Sequence, residues 1–401
     1  MAFALAQVGP APRRFFYEMT ATTLDACAGE RENNFDVLRL LGATLVLASH
    51  SFVVTGAAEP RIGHWPLGTF GVEVFFAISG FLIAMSWLRR PSLRGFAVRR
   101  ALRILPALAV TVVLCALALG PLVTDLSASS YFTDPATPAY VIDNLVSVAT
   151  AGFGHEIALG LPGVFVSHPD HAVNVSLWTL PIEVRAYGLV ALLGLIGLLS
   201  RTVVPVAIAF FALSIAPSGV IDLPLLGAPL DFLRGADGLA AHLTAMFFVS
   251  AAFYRYRNRV PLRLDLAAAS LLALVLSLGT PLERPVLLIA IPYLVLCAAY
   301  RSSSGLRRLT RPGDVSYGIY LFAFPVQQAI YELWGGSGPS PVLLALIAFP
   351  VAYLLALASW HGVEQRALRL KHRFSASRSS FAPLRSQRSD AVDSAPVPSQ
   401  P

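Results

Sequence analysis

Apolar residues in this chain gather in long runs that recur along nearly its whole length, parted by short stretches rich in arginine. The runs cover about 36–56, 67–88, 104–124, 177–200, 203–219, 238–254, 264–281, 284–300, 315–334 and 341–360. Each approaches the ~20 residues with which an α-helix crosses a bilayer. In lipid, helices satisfy every backbone polar group within the segment itself. The pattern predicts an all-α polytopic membrane protein of about ten transmembrane helices. The turn between the seventh and eighth runs, at Glu283, is very short.

Composition agrees. The 401 residues are 56% hydrophobic and 13% charged, which excludes a soluble globule. The net charge of +7 does not signal nucleic acid, because the positive residues cluster between apolar runs. Of the 30 Lys and Arg, 25 fall on one side of the alternating topology. Arg61, Arg234 and Arg284 fall on the other, and Arg39 and Arg185 lie inside runs. That asymmetry predicts cytoplasmic termini, a cytoplasmic basic loop at 89–103 and an outward loop at 125–176. Cys27, Cys115 and Cys297 sit in a tail and two separate runs, so no disulfide framework is expected.

The domain reading is a cytoplasmic N-terminal segment (1–32), a membrane domain (33–370) and a cytoplasmic tail (371–401). No signal peptide is visible, so the first run is expected to act as the insertion signal. The Ser-, Arg- and Pro-rich tail is expected to be disordered. The loop at 125–176 lacks Lys and Arg and is expected to be solvated. Its His168-Pro-Asp-His171 offers no third ligand at regular spacing, so no metal site is expected. Its Asn174-Val-Ser176 matches a glycosylation sequon, a pattern frequent by chance.

Ionisable residues inside such runs are costly and usually face a bundle interior or a wet cavity. The first run carries two, Arg39 and His50. Eleven residues apart, they lie about 16 Å apart along a helix and within ~20° of one face. Counted from the outer ends of their runs, His50, Glu73 and Glu183 fall at one depth, roughly 9 Å inside. A histidine with two carboxylates can take a proton from a hydroxyl, and such a pair can equally serve to hold helices together. Glu73 can orient its neighbours without reacting. Ser79 and Gly80 read as close-packing positions, and Arg185 points to another face than Glu183. At the mouth of the third run, Arg99, Arg100 and Arg103 suit phosphate binding and equally suit positive-inside anchoring.

These residues together resemble the acyltransferase-3 family of integral membrane acyltransferases. Four motifs carry the resemblance: Arg39-x10-His50 with Phe35-Asp36 and Ser51; Gly71-Val-Glu-Val-Phe-Phe-Ala-Ile-Ser-Gly-Phe-Leu-Ile83; Arg99-Arg100-x-x-Arg103-Ile-x-Pro106; and Trp178-Thr-Leu-Pro-Ile-Glu183 with Tyr187. A fifth, Val315-Ser-Tyr-Gly-Ile-Tyr-Leu321 followed by Pro325, fits the late run. The similarity covers roughly residues 33–370.

The resemblance implies transfer of an acyl group, often acetyl, from acyl-coenzyme A to a sugar hydroxyl. It also implies a catalytic role for His50, with Arg39 essential beside it and Glu183, Arg100 and Arg103 tied to activity. Ala323 stands where many members have a histidine, and no soluble hydrolase-like domain follows the last run in this sequence. The resulting expectation is an O-acyltransferase of the bacterial inner membrane acting on a carbohydrate or glycolipid such as O-antigen, exopolysaccharide or lipopolysaccharide. Arg99, Arg100 and Arg103 would dock coenzyme A, and no permanently bound cofactor or nucleic-acid partner is expected. His50 would act as base, oriented by Glu183 with Glu73, or would carry an acyl-histidine intermediate. The alternative is an exporter of a lipid-linked sugar, which would favour inverted repeats and broken helices at the midplane.

Overall fold

The computed structural model describes residues 23–28, 33–217, 227–300, 305–336 and 338–370. The expectations for the tail at 371–401 and for most of the N-terminal segment lie outside these residues. A helix stands at every expected run. In chain order they are α1 (Phe35–Val54), α2 (Leu67–Arg89) and α3 (Leu93–Leu114). The segment at 125–176 contributes α4 (Ala128–Thr133) and α5 (Ala136–Ala149). Then follow α6 (Thr179–Leu195), α7 (Leu199–Ile215), α8 (Gly227–Arg234), α9 (Leu239–Arg255), α10 (Leu264–Ser277), α11 (Glu283–Tyr300), α12 (Ser316–Trp334) and α13 (Pro341–Ser359). A two-stranded hairpin, Arg61–Ile62 with Trp65–Pro66, joins α1 to α2.

Among the described residues, seven helices are long and apolar enough to cross a membrane: 35–54, 67–89, 93–123, 175–195, 236–255, 283–300 and 341–369. α7 and α10 are apolar but shorter, with 17 and 14 residues. α12 has 19 residues, yet Gln327, Gln328 and Glu332 dilute its apolar character. It is nevertheless a central helix, buried from Gly318 through Gln328. The amide N–H groups of Gln327 and Gln328 are satisfied by neighbouring protein, as membrane burial favours.

α2 forms the axis of the bundle because glycine lets other backbones approach it. A Cβ on Gly71 would lie 2.4 Å from the Gly42 carbonyl oxygen of α1, and one on Gly80 would lie 2.0 Å from the Phe247 carbonyl oxygen of α9. Without water to drive association, close packing of small residues is a main source of helix affinity in lipid. Gly80→Ala should therefore sharply reduce folded protein, because the clash is with backbone that cannot swing aside. Gly188→Ala, whose added methyl meets nothing within 4 Å, should be tolerated. Fluorescence-detected size exclusion in detergent reads both, and equal yields would refute the close-packing account.

The segment at 125–176 corrects an expectation. It is a folded cap rather than a solvated loop. Tyr131, Tyr140, Asn144 and Asn174 are essentially fully buried within it. The His168 ring is buried and sits between Gln328 Oε1, 2.8 Å from Nδ1, and Glu332 Oε2, 2.5 Å from Nε2. Asn174, the sequon residue, has a structural partner. Pro325 has no N–H to donate to the Leu321 carbonyl one turn back. The Asn174 amide donates to that carbonyl instead, at 2.8 Å.

Candidate active site

The bundle brings the arginine-bearing end of α1, the start of α3, the first turns of α6 and the start of α12 around one cavity of about 110 Å³. Arg39, Arg100 and Arg103 line it together with Ser79, Glu183 and Tyr187. The i, i+3 spacing aims Arg100 and Arg103 at the same space from a single turn of α3, and Ser92 caps that helix by accepting from the Gly95 N–H at 3.3 Å. Arg99, the third arginine of the sequence motif, does not line the cavity.

Each charge has a definite setting. Arg39 donates to Asp36 at 2.8 Å, and Arg103 donates to Asp314 Oδ2 at 2.5 Å. Burial works against the charge of Asp314, but the guanidinium groups of Arg103 and Arg39 outweigh it and hold its carboxyl below the ordinary carboxylate range. Arg100 has a buried Nε with no hydrogen-bond partner. Glu183 Oε1 accepts from Ser79 Oγ at 2.8 Å and from the Tyr187 hydroxyl one turn along α6. Ser79 thus does more than allow packing. Arg185 is spent elsewhere, donating to the Phe232 carbonyl at 3.0 Å and lying 4.3 Å over the Phe232 ring.

A tight roof closes the cavity away from the arginines. Thr179 Oγ1 and the Tyr320 hydroxyl are 2.6 Å apart, and Tyr320 also donates to the Ser176 carbonyl at 2.9 Å. Phe324, one turn or about 6 Å along α12, meets the His50 imidazole edge-on with ring centroids 5.2 Å apart. His50 therefore lies beyond the roof rather than in the cavity wall.

The expected carboxylate partners of His50 are engaged elsewhere. Glu73 pairs with His242 of α9 at 2.9 Å, both fully buried, and His242 stacks on Trp65 with centroids 5.1 Å apart. Glu183 belongs to Ser79 and Tyr187. His50 Nδ1 is buried with no hydrogen-bond partner. Sequence reasoning had no role for His242, Tyr320 or Gln327. The Gln327-Gln328 pair in an otherwise apolar run was the available signal, since polar groups at membrane depth are kept for a purpose. Among the described residues, no group of three His, Cys, Asp or Glu could hold a metal ion.

The acyltransferase-3 model, described as an acyltransferase domain, matches residues 32–361. The chain belongs to the acyltransferase-3 family. This acyltransferase is 29% identical over 347 residues to an O-acetyl transferase of Shigella phage Sf6, covering 84% of the chain and 96% of the relative. It is also 30% identical over 393 residues to nodulation protein 10 of Rhizobium leguminosarum bv. viciae, covering 87% and 97%. No solved structure gives a significant match. As a family member built from long apolar helices, the chain is a multi-pass membrane acyltransferase that transfers an acyl group to an acceptor.

Proposed function

We propose that the protein moves an acetyl group from acetyl-coenzyme A to a hydroxyl of a carbohydrate or glycolipid acceptor. The observation that carries this reading is the convergence of Arg39, Arg100 and Arg103 on a narrow cavity that the Thr179–Tyr320 roof separates from His50. Guanidinium forks suit phosphate oxygens. A volume of about 110 Å³ is well below the ~300 Å³ at which pockets begin to hold drug-sized ligands. It suits a slender thioester arm, with the nucleotide and its phosphates left at the basic mouth. The phage relative's name, O-acetyl transferase, supports acetyl as the group moved.

In this reading the basic end faces the cytoplasm of a bacterial inner membrane, where acetyl-coenzyme A is made. Arg100 and Arg103 hold its phosphates, and Arg39 neutralises charge along the arm. Tyr320 and Thr179 must part for the thioester to pass the roof. His50 takes the proton of the acceptor hydroxyl as that oxygen attacks the thioester carbonyl; the new C–O bond forms, the C–S bond breaks, and the imidazolium returns the proton to the leaving thiolate. Ser79 and Tyr187 hold Glu183 as a fixed negative charge in the wall.

The donor half of this account is tested in membranes supplied with labelled acetyl-coenzyme A. Arg100→Gln with Arg103→Gln should raise the KM for acetyl-coenzyme A by about tenfold or more, since a charge-assisted hydrogen bond contributes roughly 1.5–3 kcal/mol. The corresponding double Lys variant should fall between, because lysine keeps the charge and loses the fork. Unchanged KM in a well-folded Gln variant would remove coenzyme A from this end of the cavity.

A further inference from the structure

Two buried polar atoms on the packed helices α1 and α12 are left without partners, neither bonded to the other in this structure, and they are chemically complementary. One is His50 Nδ1; the other is Gln327 Oε1. Gln327 is fully buried on α12, one turn beyond the Phe324 ring that touches His50. Its Nε2 donates to the Leu47 carbonyl at 2.7 Å and to Ser51 Oγ at 2.6 Å. Leu47 and Ser51 lie three residues before and one residue after His50, so the amide grips α1 around the histidine. A carbonyl can receive only the NH₂ side of the amide, which fixes the orientation and leaves Oε1 as a free acceptor.

Most other polar groups nearby are committed. Ser49 Oγ accepts from the Gly68 N–H at 2.8 Å and donates to Glu59. Ser51 Oγ donates to the Leu47 carbonyl at 3.2 Å. Glu73 is turned to His242 through Oε1, its Oε2 being buried and unpaired, and Glu183 Oε1 is held by Ser79 and Tyr187. Phe324 has nothing to offer but a ring edge.

We propose that Gln327 is the positioning residue for His50: as the two side chains close on each other its Oε1 accepts the Nδ1 proton, which fixes the tautomer that presents Nε2 as the base. This rests on the catalytic reading of His50 given above. A base that must take a proton at one nitrogen is held by a hydrogen bond at the other. In this chain a neutral amide performs that service, so the imidazolium formed in the reaction is oriented without being neutralised. That favours prompt return of its proton to the leaving thiolate.

The test joins a spectroscopic and a kinetic readout. Purified wild-type protein labelled with [15N]histidine, in lipid, should give a His50 signal with Nδ1 protonated and Nε2 bare; subtraction of a His50→Ala spectrum identifies it. Gln327→Leu should mix the tautomers and lower kcat about 10–100-fold, the usual scale for losing such an outer partner, with the KM for acetyl-coenzyme A unchanged. Gln327→Glu, which keeps an acceptor oxygen, should recover most of the Nδ1–H tautomer and of kcat. Ser51→Ala cuts part of the helix grip and leaves Oε1 in place; it should lower thermal stability without moving the tautomer or kcat. A wild-type His50 protonated at Nε2 overturns the proposal whatever the variants do. So does a Gln327→Leu enzyme with the wild-type tautomer and an activity loss matching that of Ser51→Ala. Full activity in His50→Ala would instead sink the catalytic reading, a separate outcome.

Discussion

His50→Ala should abolish measurable acyl transfer while the protein still reaches the membrane and withstands detergent. The residue contributes little to the fold. Among the described residues its one ring contact is the edge of Phe324, it makes no hydrogen bond, and Nδ1 carries an unmet demand that alanine removes. Its expected contribution to chemistry is large, because a positioned base is worth roughly 10²–10⁴ in rate. The measurement is incorporation of label from acetyl-coenzyme A into endogenous acceptors of native membranes, normalised to folded protein. Glu183→Gln should also lose activity, since the amide abolishes the fixed charge while remaining able to bond Ser79 and Tyr187. A His50→Ala enzyme within about tenfold of wild type would make His50 a packing residue.

Glu73 should behave in the opposite way. It and His242 are fully buried and bonded to each other at 2.9 Å, and His242 in turn carries the Trp65 ring. Removing one partner of a buried hydrogen-bonded pair leaves the other unsatisfied, at a cost of about 1–3 kcal/mol. Glu73→Leu should therefore lose much of its thermal stability, and activity with it. Glu73→Gln keeps an acceptor for His242 and should remain folded, with acyl transfer within a fewfold of wild type. Thermal unfolding in detergent beside the transfer assay separates the two variants. A stable Glu73→Gln protein as inactive as His50→Ala would return Glu73 to the chemistry.

The contrast between these two residues shows what a linear reading can and cannot reach. The apolar runs place helices because hydropathy and length decide membrane insertion nearly alone. The nearness of Arg39 to Arg100 and Arg103 was also legible, since each lies at a definable height in its run, whereas Glu183, counted to the depth of His50, instead lines the cavity with the arginines. Height, however, leaves the azimuth open. Glu73 and His50 share a depth by counting, yet Gly80 against Phe247 seats α2 on α9 and turns Glu73 to His242. Gln327 escaped notice because an uncharged amide weighs little in a charge-based search. The cap at 125–176 escaped because its buried groups, His168 and Asn174, find partners on α12 more than 140 residues later.

The most direct test of the account uses the purified chain in proteoliposomes with [14C]acetyl-coenzyme A supplied only to the face bearing Arg100 and Arg103, and a bacterial surface-glycan extract supplied to the other. Label should appear on glycan hydroxyls as alkali-labile acetyl ester, in step with release of free coenzyme A thiol, and His50→Ala should stop both. Passage of glycan across the bilayer with no thiol released and no label transferred would contradict the account and make the protein an exporter.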